Sequence, residues 1–124
     1  MQSWPKAITD LISGETHFGR AGIKCFSNRP SDINFMVHQT VAGNRESEAL
    51  VCDDLRLTYG QLDSQIAAVA GGLERLGLAK GDRVALLLAN GPEFLIVLLA
   101  AIRIGAIAVP INVREQTPEL KHIL

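Results

Sequence analysis

Residues 82–112, DRVALLLANGPEFLIVLLAAIRIGAIAVPIN, restrict the possible folds more than any other part of the chain. Val84 to Leu88 is an unbroken apolar run too short for a helix. It follows the turn signal Lys80-Gly81-Asp82, so it reads as a strand buried on both faces, as in a parallel sheet. Asn90 is placed to cap a helix, Pro92 falls in the first turn where its missing N–H is harmless, and Glu93 can complete a capping box. Every residue from Phe94 to Ile102 is apolar, which leaves that helix no water-facing stripe, and Gly105 is placed to end it in a left-handed turn. Ala106 to Val109 then forms a second short strand. A strand-helix-strand connection of this length makes the two strands parallel neighbours, with a right-handed crossover in about 98% of cases. The fold class expected is α/β.

The same stretch holds much of the apolar content of a chain that is 48% hydrophobic, so a membrane span has to be weighed. A spanning helix needs about 20 consecutive apolar residues, and Asn90, Gly91, Pro92, Glu93 and Arg103 divide the run into shorter pieces. The first twenty residues show no basic segment ahead of an apolar block and no small-residue cleavage signal, so a cytoplasmic location is expected. Twelve Lys and Arg against thirteen Asp and Glu give a net charge of −1. With no run of like charge, nucleic acid and anionic membranes are not expected partners. Cys25 and Cys52 are expected to be reduced thiols. His17, His38 and His122 are scattered, no Cys, His or acidic residues fall at a metal-ligand spacing, and no metal site is expected.

Trp4, Ala7, Ile8, Leu11 and Ile12 recur at helical spacing, with Ser3 as a cap, and predict a short amphipathic helix over Ser3 to Ser13. Gly14 to Ala21, GETHFGRA, imitates a phosphate-binding loop but has Arg for Lys and Ala for the metal-binding hydroxyl. It lacks a strand before it and a helix after it, so it reads as a surface loop. Residues 22–31 read as a linker. Ser31 or Asp32 caps a helix from Ile33 to about Ala42, stopped by Gly43-Asn44. Ala49 to Cys52 and Arg56 to Tyr59 flank Asp53-Asp54 as a hairpin. Thr58 caps the most amphipathic helix, with Gln61 in the capping-box position and an apolar stripe of Leu62, Ile66, Val69, Leu73 and Leu76 expected to pack on the sheet. Gly71 and Gly72 point to a close backbone approach or to a tolerated cost of about 1 kcal/mol each. Gly77 and Leu78 read as a Schellman ending, and Thr117 caps a last helix.

No catalytic residue is expected within these residues: no nucleophile has a base in context, and Asp53-Asp54 reads as a solvated turn. Leu57-Thr58-Tyr59-Gly60-Gln61-Leu62 resembles the L-T-Y-x-E-L segment of the adenylate-forming ligase superfamily, the AMP-dependent synthetases that include acyl-CoA synthetases. Arg103 to Asn112, RIGAIAVPIN, resembles its K/R-x-G-A-x-x-V-P-x-[DN] segment, and GDRVALLLANGPEF between them is similar to a third. Gln61 in place of Glu is the departure in the first motif, and it preserves the capping box. Residues 1–30 carry no sign of the resemblance and are expected to be an N-terminal extension and linker, while the resemblance implies that 31–124 begins an incomplete AMP-binding domain. It implies a parent enzyme, an acid–thiol ligase using ATP, Mg²⁺ and coenzyme A on a fatty or aromatic carboxylic acid, with the fragment alone inactive and binding none of these cofactors. Asn112-Val113-Arg114 resembles an N-x-R at which a basic side chain meets coenzyme A phosphates, so Arg114 is the one candidate binding residue. The alternative is a non-catalytic α/β binding or interaction module that keeps only the scaffold; a doubly wound protein of another family is a third reading.

Overall fold

The computed structural model describes residues 5–123, which divide after Ser31 into two compact units. The first begins with a single helical turn, α1 (Lys6–Thr9), and continues as an antiparallel hairpin of β1 (Ile12–His17) and β2 (Arg20–Phe26). Three expectations are corrected here. The amphipathic helix is one turn long, and its expected Ser3 cap and Trp4 lie outside the described residues. The loop 14–21 is instead the two strand ends and turn of the hairpin, and the linker from 22 onward is strand as far as Phe26. The turn residues Phe18 and Gly19 both have positive φ, 52° and 73°, the pattern of a type I′ hairpin whose twist matches its strands. Phenylalanine is a rare occupant of that position, which hid the turn.

The second unit comprises α2 (Ile33–Asn44), β3 (Glu48–Cys52), β4 (Leu55–Thr58), α3 (Tyr59–Arg75), β5 (Arg83–Leu86), α4 (Pro92–Arg103), β6 (Ile107–Pro110) and α5 (Thr117–Ile123). Asp32 caps α2 by accepting a hydrogen bond from the Phe35 amide at 2.7 Å, and the helix runs through Gly43 and Asn44 rather than stopping there. β3 and β4 pair antiparallel around Asp53-Asp54, with Asp53 at φ 50° taking the left-handed role that glycine usually fills. The Thr58–Gln61 capping box is formed in both directions, at 3.2 and 2.9 Å. The Tyr59 and Gly60 amides donate to Ser47 and Arg45 carbonyls, so the first turn of α3 is satisfied by the segment before β3.

Leu62, Ile66 and Ala70 of α3 meet Ile96 and Ala100 of α4 in the core, with Ala49, Val69, Leu73, Leu99 and Ile104 packed around them. The close approach lies between these two helices, where Ala100 is fully enclosed, and not at Gly71 and Gly72, where an added Cβ would meet only the Arg75 side chain. α3 packs on α4, α2 and the β3–β4 hairpin, and it is α4 that lies against β5 and β6. The expectation that α3 packs on the parallel pair is therefore corrected. Leu76, expected in the stripe, is the C-cap residue and 80% exposed.

β5 and β6 pair parallel in the register Arg83↔Ile107 to Leu86↔Pro110. Within these residues Val84 and Leu86 turn toward cover while Arg83 and Ala85 are exposed, and Leu87 and Leu88 lie beyond the strand's end with much of their apolar surface bare. Gly91 rather than Asn90 is the N-cap of α4, and no side chain caps it; Pro92 holds the first helical position as expected. α4 ends in a Schellman motif. Gly105 (φ 75°) donates to Ile102 and Ala106 donates to Ala101; α3 ends the same way through Gly77 (φ 92°) and Leu78. No helix among the described residues is long and apolar enough to cross a membrane.

Candidate functional site

In open parallel sheets, ligands bind beyond the carboxyl ends of the strands. β5 and β6 direct their carboxyl ends to a cavity of about 370 Å³ between the Leu88-Ala89-Asn90 segment, Phe94 of α4, and Pro110 to Val113 after β6. Asn90 and Asn112 are its polar side chains, and no charged residue lines it. The Asn112 carboxamide oxygen accepts from the Arg114 amide at 3.0 Å, closing a turn that carries the chain off the sheet. Arg114 is exposed in that turn and is not among the residues lining the cavity. A second cavity, about 260 Å³, lies between α2, α3 and α4; its lining is mostly apolar and has no cationic group.

Behind the sheet, Arg103 at the end of α4 donates through Nη2 to Asp63 Oδ1 of α3 at 2.5 Å, and through Nη1 to the Asp63 carbonyl at 3.4 Å. The side chains are 16% and 23% exposed, so the pair is partly desolvated; Arg103 Nε is buried and finds no partner among the described residues. This pair joins the two helices that carry the core.

The hairpin unit holds a second polar cluster. Alternation along β1 puts Glu15 and His17 on one face, and pairing places Cys25 opposite Ser13 on that same face. Arg29 grips Glu15 with both nitrogens, at 2.7 and 2.6 Å, and His17 Nε2 lies 2.9 Å from Glu15 Oε2. The Arg29 guanidinium, and then the His17 hydrogen bond, hold the Glu15 carboxyl down at about 2, and Glu15 in turn raises Arg29. The expectation that no Cys, His or acidic residues come together at a metal-ligand spacing is corrected at this place, where Glu15, His17 and Cys25 cluster. Their two-residue spacing in β1 becomes a signal only once 12–26 is read as a hairpin.

A family model described as AMP-binding enzyme matches residues 37–124. The long-chain-fatty-acid–CoA ligase FadD13 of Mycobacterium tuberculosis is 41% identical over 95 residues, which are 75% of this chain and 19% of that protein. A feruloyl-CoA synthase from Amycolatopsis is 46% identical over 68 residues, 55% of this chain and 14% of that one. Among solved structures, the inhibitor-bound N-terminal domain of FACL13 from M. tuberculosis superposes with a TM-score of 0.71 at 41% identity, over 75% of this chain and 24% of that one. The N-terminal subdomain of NpsA from Klebsiella oxytoca, in complex with anthranilyl-AMSN, gives 0.74 at 29% identity, over 77% and 25%. The chain thus spans about a fifth of the length of the ligase FadD13 and aligns with N-terminal domains. With the parallel unit, the capped α3 and the Arg103–Asn112 motif all inside the matched region, the chain belongs to the AMP-binding enzyme family, the adenylate-forming ligases.

Proposed function

We propose that these residues form the N-terminal part of an AMP-forming carboxylic acid–CoA ligase acting on a fatty or aromatic acid. The observation that supports this best is the 88-residue span 37–124 of the family match, which contains the whole β5–α4–β6 unit and lies beside acyl- and aryl-CoA ligases in similarity. In the parent reaction a carboxylate oxygen attacks the α-phosphorus of ATP and pyrophosphate leaves. The thiol sulfur of coenzyme A then attacks the acyl carbon of the adenylate and AMP leaves. Mg²⁺ and cationic groups would offset phosphate charge in the first step. The two cavities described above have no Lys or Arg in their linings, which fits a division in which the groups that handle the ATP phosphates lie in other parts of the parent.

The test compares the 124-residue chain with the full-length protein in ATP, Mg²⁺, coenzyme A and a panel of fatty and aromatic acids. The parent is expected to release pyrophosphate with at least one acid, and the short chain none above background. Turnover by the short chain would overturn that division of labour, and a parent inert toward every acid would return the chain to the binding-module reading.

Arg114 is the residue of this part that we assign to coenzyme A. Its exposed side chain follows β6, and its planar fork suits a phosphate. Arg114→Ala in the full-length enzyme is expected to raise KM for coenzyme A about tenfold, the effect of losing one charge-assisted contact of ~1.5 kcal/mol, with the adenylation half-reaction unchanged. An unchanged KM, measured at low salt with saturating acid and ATP, would make Arg114 a solvated loop residue.

A further inference from the structure

Residues 5–31 form a unit with no buried residue: Phe18 is fully exposed, Phe26 and Leu11 about half. Units below about 40 residues rarely hold together on apolar burial and recruit a disulfide or a metal instead. Cys25 is a free thiol, so a metal is one of the means open to this unit.

On the half-buried face of the hairpin, Glu15, His17 and Cys25 each offer one ligand atom, and the three atoms lie within 4.8 Å of one another. We propose that this face is a binding site for Zn²⁺ or a similar transition-metal ion, with Cys25 Sγ, a ring nitrogen of His17 and a Glu15 oxygen as ligands and water in the fourth position. A thiolate, an imidazole and one carboxylate form a mixed donor set that suits Zn²⁺ and Co²⁺ and does not suit Mg²⁺ or Ca²⁺, which take oxygen shells. Tetrahedral bonds of about 2.0–2.3 Å bring such donors to roughly 3.3–3.6 Å from one another, so side-chain rotation on the order of 1 Å closes the site.

The existing network is compatible with the ion. The metal replaces the two contacts on Glu15 Oε2, that of His17 at 2.9 Å and that of Arg29 Nη2 at 2.6 Å, while Arg29 Nη1 can keep its 2.7 Å bond to Glu15 Oε1, as ligating carboxylates are commonly held by an outer partner. As the sulfur–metal bond forms, the Cys25 thiol proton passes to solvent and neutral His17 supplies its ring lone pair. Both strands and Arg29 are then tied together where apolar packing is missing.

The experiment is a titration of the reduced 124-residue chain with Co²⁺. Expected are one equivalent bound, the visible bands of tetrahedral cobalt, and a near-ultraviolet sulfur-to-cobalt charge-transfer band, all removed by added Zn²⁺. Cys25→Ser should abolish the charge-transfer band and Cys52→Ser should leave it. His17→Ala should weaken binding more than about tenfold, since loss of even an outer-shell partner is worth about 10–100-fold. Amide exchange across 12–26 in the wild-type chain should slow when Zn²⁺ is added, a reading that does not depend on any variant folding. Absence of the charge-transfer band, its survival in Cys25→Ser, its loss in Cys52→Ser, or unchanged affinity in His17→Ala would each overturn the proposal.

Discussion

In residues 32–123, Ile66 and Ala100 are 1% and 0% exposed and two helices close on each other through small and branched side chains. In residues 5–31 nothing is buried, and the side-chain contacts that matter are a carboxylate, a guanidinium and an imidazole on a two-stranded ladder. One chain thus contains a part stabilised mainly by removing apolar area from water and a part held by charge that solvent reaches. The two should respond to different perturbations.

The largest expected effect is in the core. Ile66→Ala removes a side chain packed against Ile96 and Ala100 and should cost about 2–5 kcal/mol, read as a fall in the urea midpoint and faster amide exchange along α3 and α4. A change under 1 kcal/mol would mean that this contact does not carry the second unit. Next comes the interhelical ion pair: Asp63→Ala strands Arg103 and should cost about 1.5–3 kcal/mol, while Asp63→Ala combined with Arg103→Leu should recover much of it, because removing both partners is milder than removing one. A double variant as weak as the single would assign the loss to something other than the pair.

The smallest effect belongs to the hairpin. The Glu15 carboxyl is lowered from 4.5 to about 2, so the ionised form is the one favoured in the fold. Its support is complete above about 4.5 and is lost as pH falls through about 2. Amide resonances of 12–26 should therefore shift and exchange faster over that window, and Glu15→Gln should remove the pH dependence. Amides of 12–26 indifferent to acid would show that the Glu15–Arg29 contact does not hold the ladder.

The same contrast governs what could be read in the sequence. The second unit announces itself because its energetics are apolar: the Leu62-Ile66-Val69-Leu73 spacing, the Thr58–Gln61 box and the glycines at 77 and 105 are local signals that agree with the tertiary structure. Where reading failed there, local chemistry was ambiguous. Asn90 and Gly91 compete for one cap, and nothing in the stripe of α3 distinguishes a helix partner from a sheet partner. In the first unit the inward face of β1 is Ser13, Glu15 and His17, facing Ile23 and Cys25 of β2, so β1 has no period-2 hydrophobicity and the helical spacing around Ile8 and Leu11 is the stronger signal. The polar cluster depends on pairing across an unannounced Phe18-Gly19 turn, and Arg114 stands out by motif alone.

The way α4 ends also determines where length changes can be absorbed. The Gly105 carbonyl accepts from the Gly81 amide at 3.0 Å, and the Ile107 amide donates to the Asp82 carbonyl at 2.7 Å, so the helix stop and the first rung of the parallel pair share one clasp. An added Cβ on Gly105 would stand 2.9 Å from Lys80 Cγ, in a backbone conformation that already disfavours it. A one-residue insertion at 105–106 has no slack to enter. It would slide β6 by one position, exchange the sides presented by Ala108 and Val109, and carry Asn112 and the turn after it away from the strand ends. Homologous enzymes of different length are therefore expected to place their insertions away from the clasp residues 81–82 and 105–107.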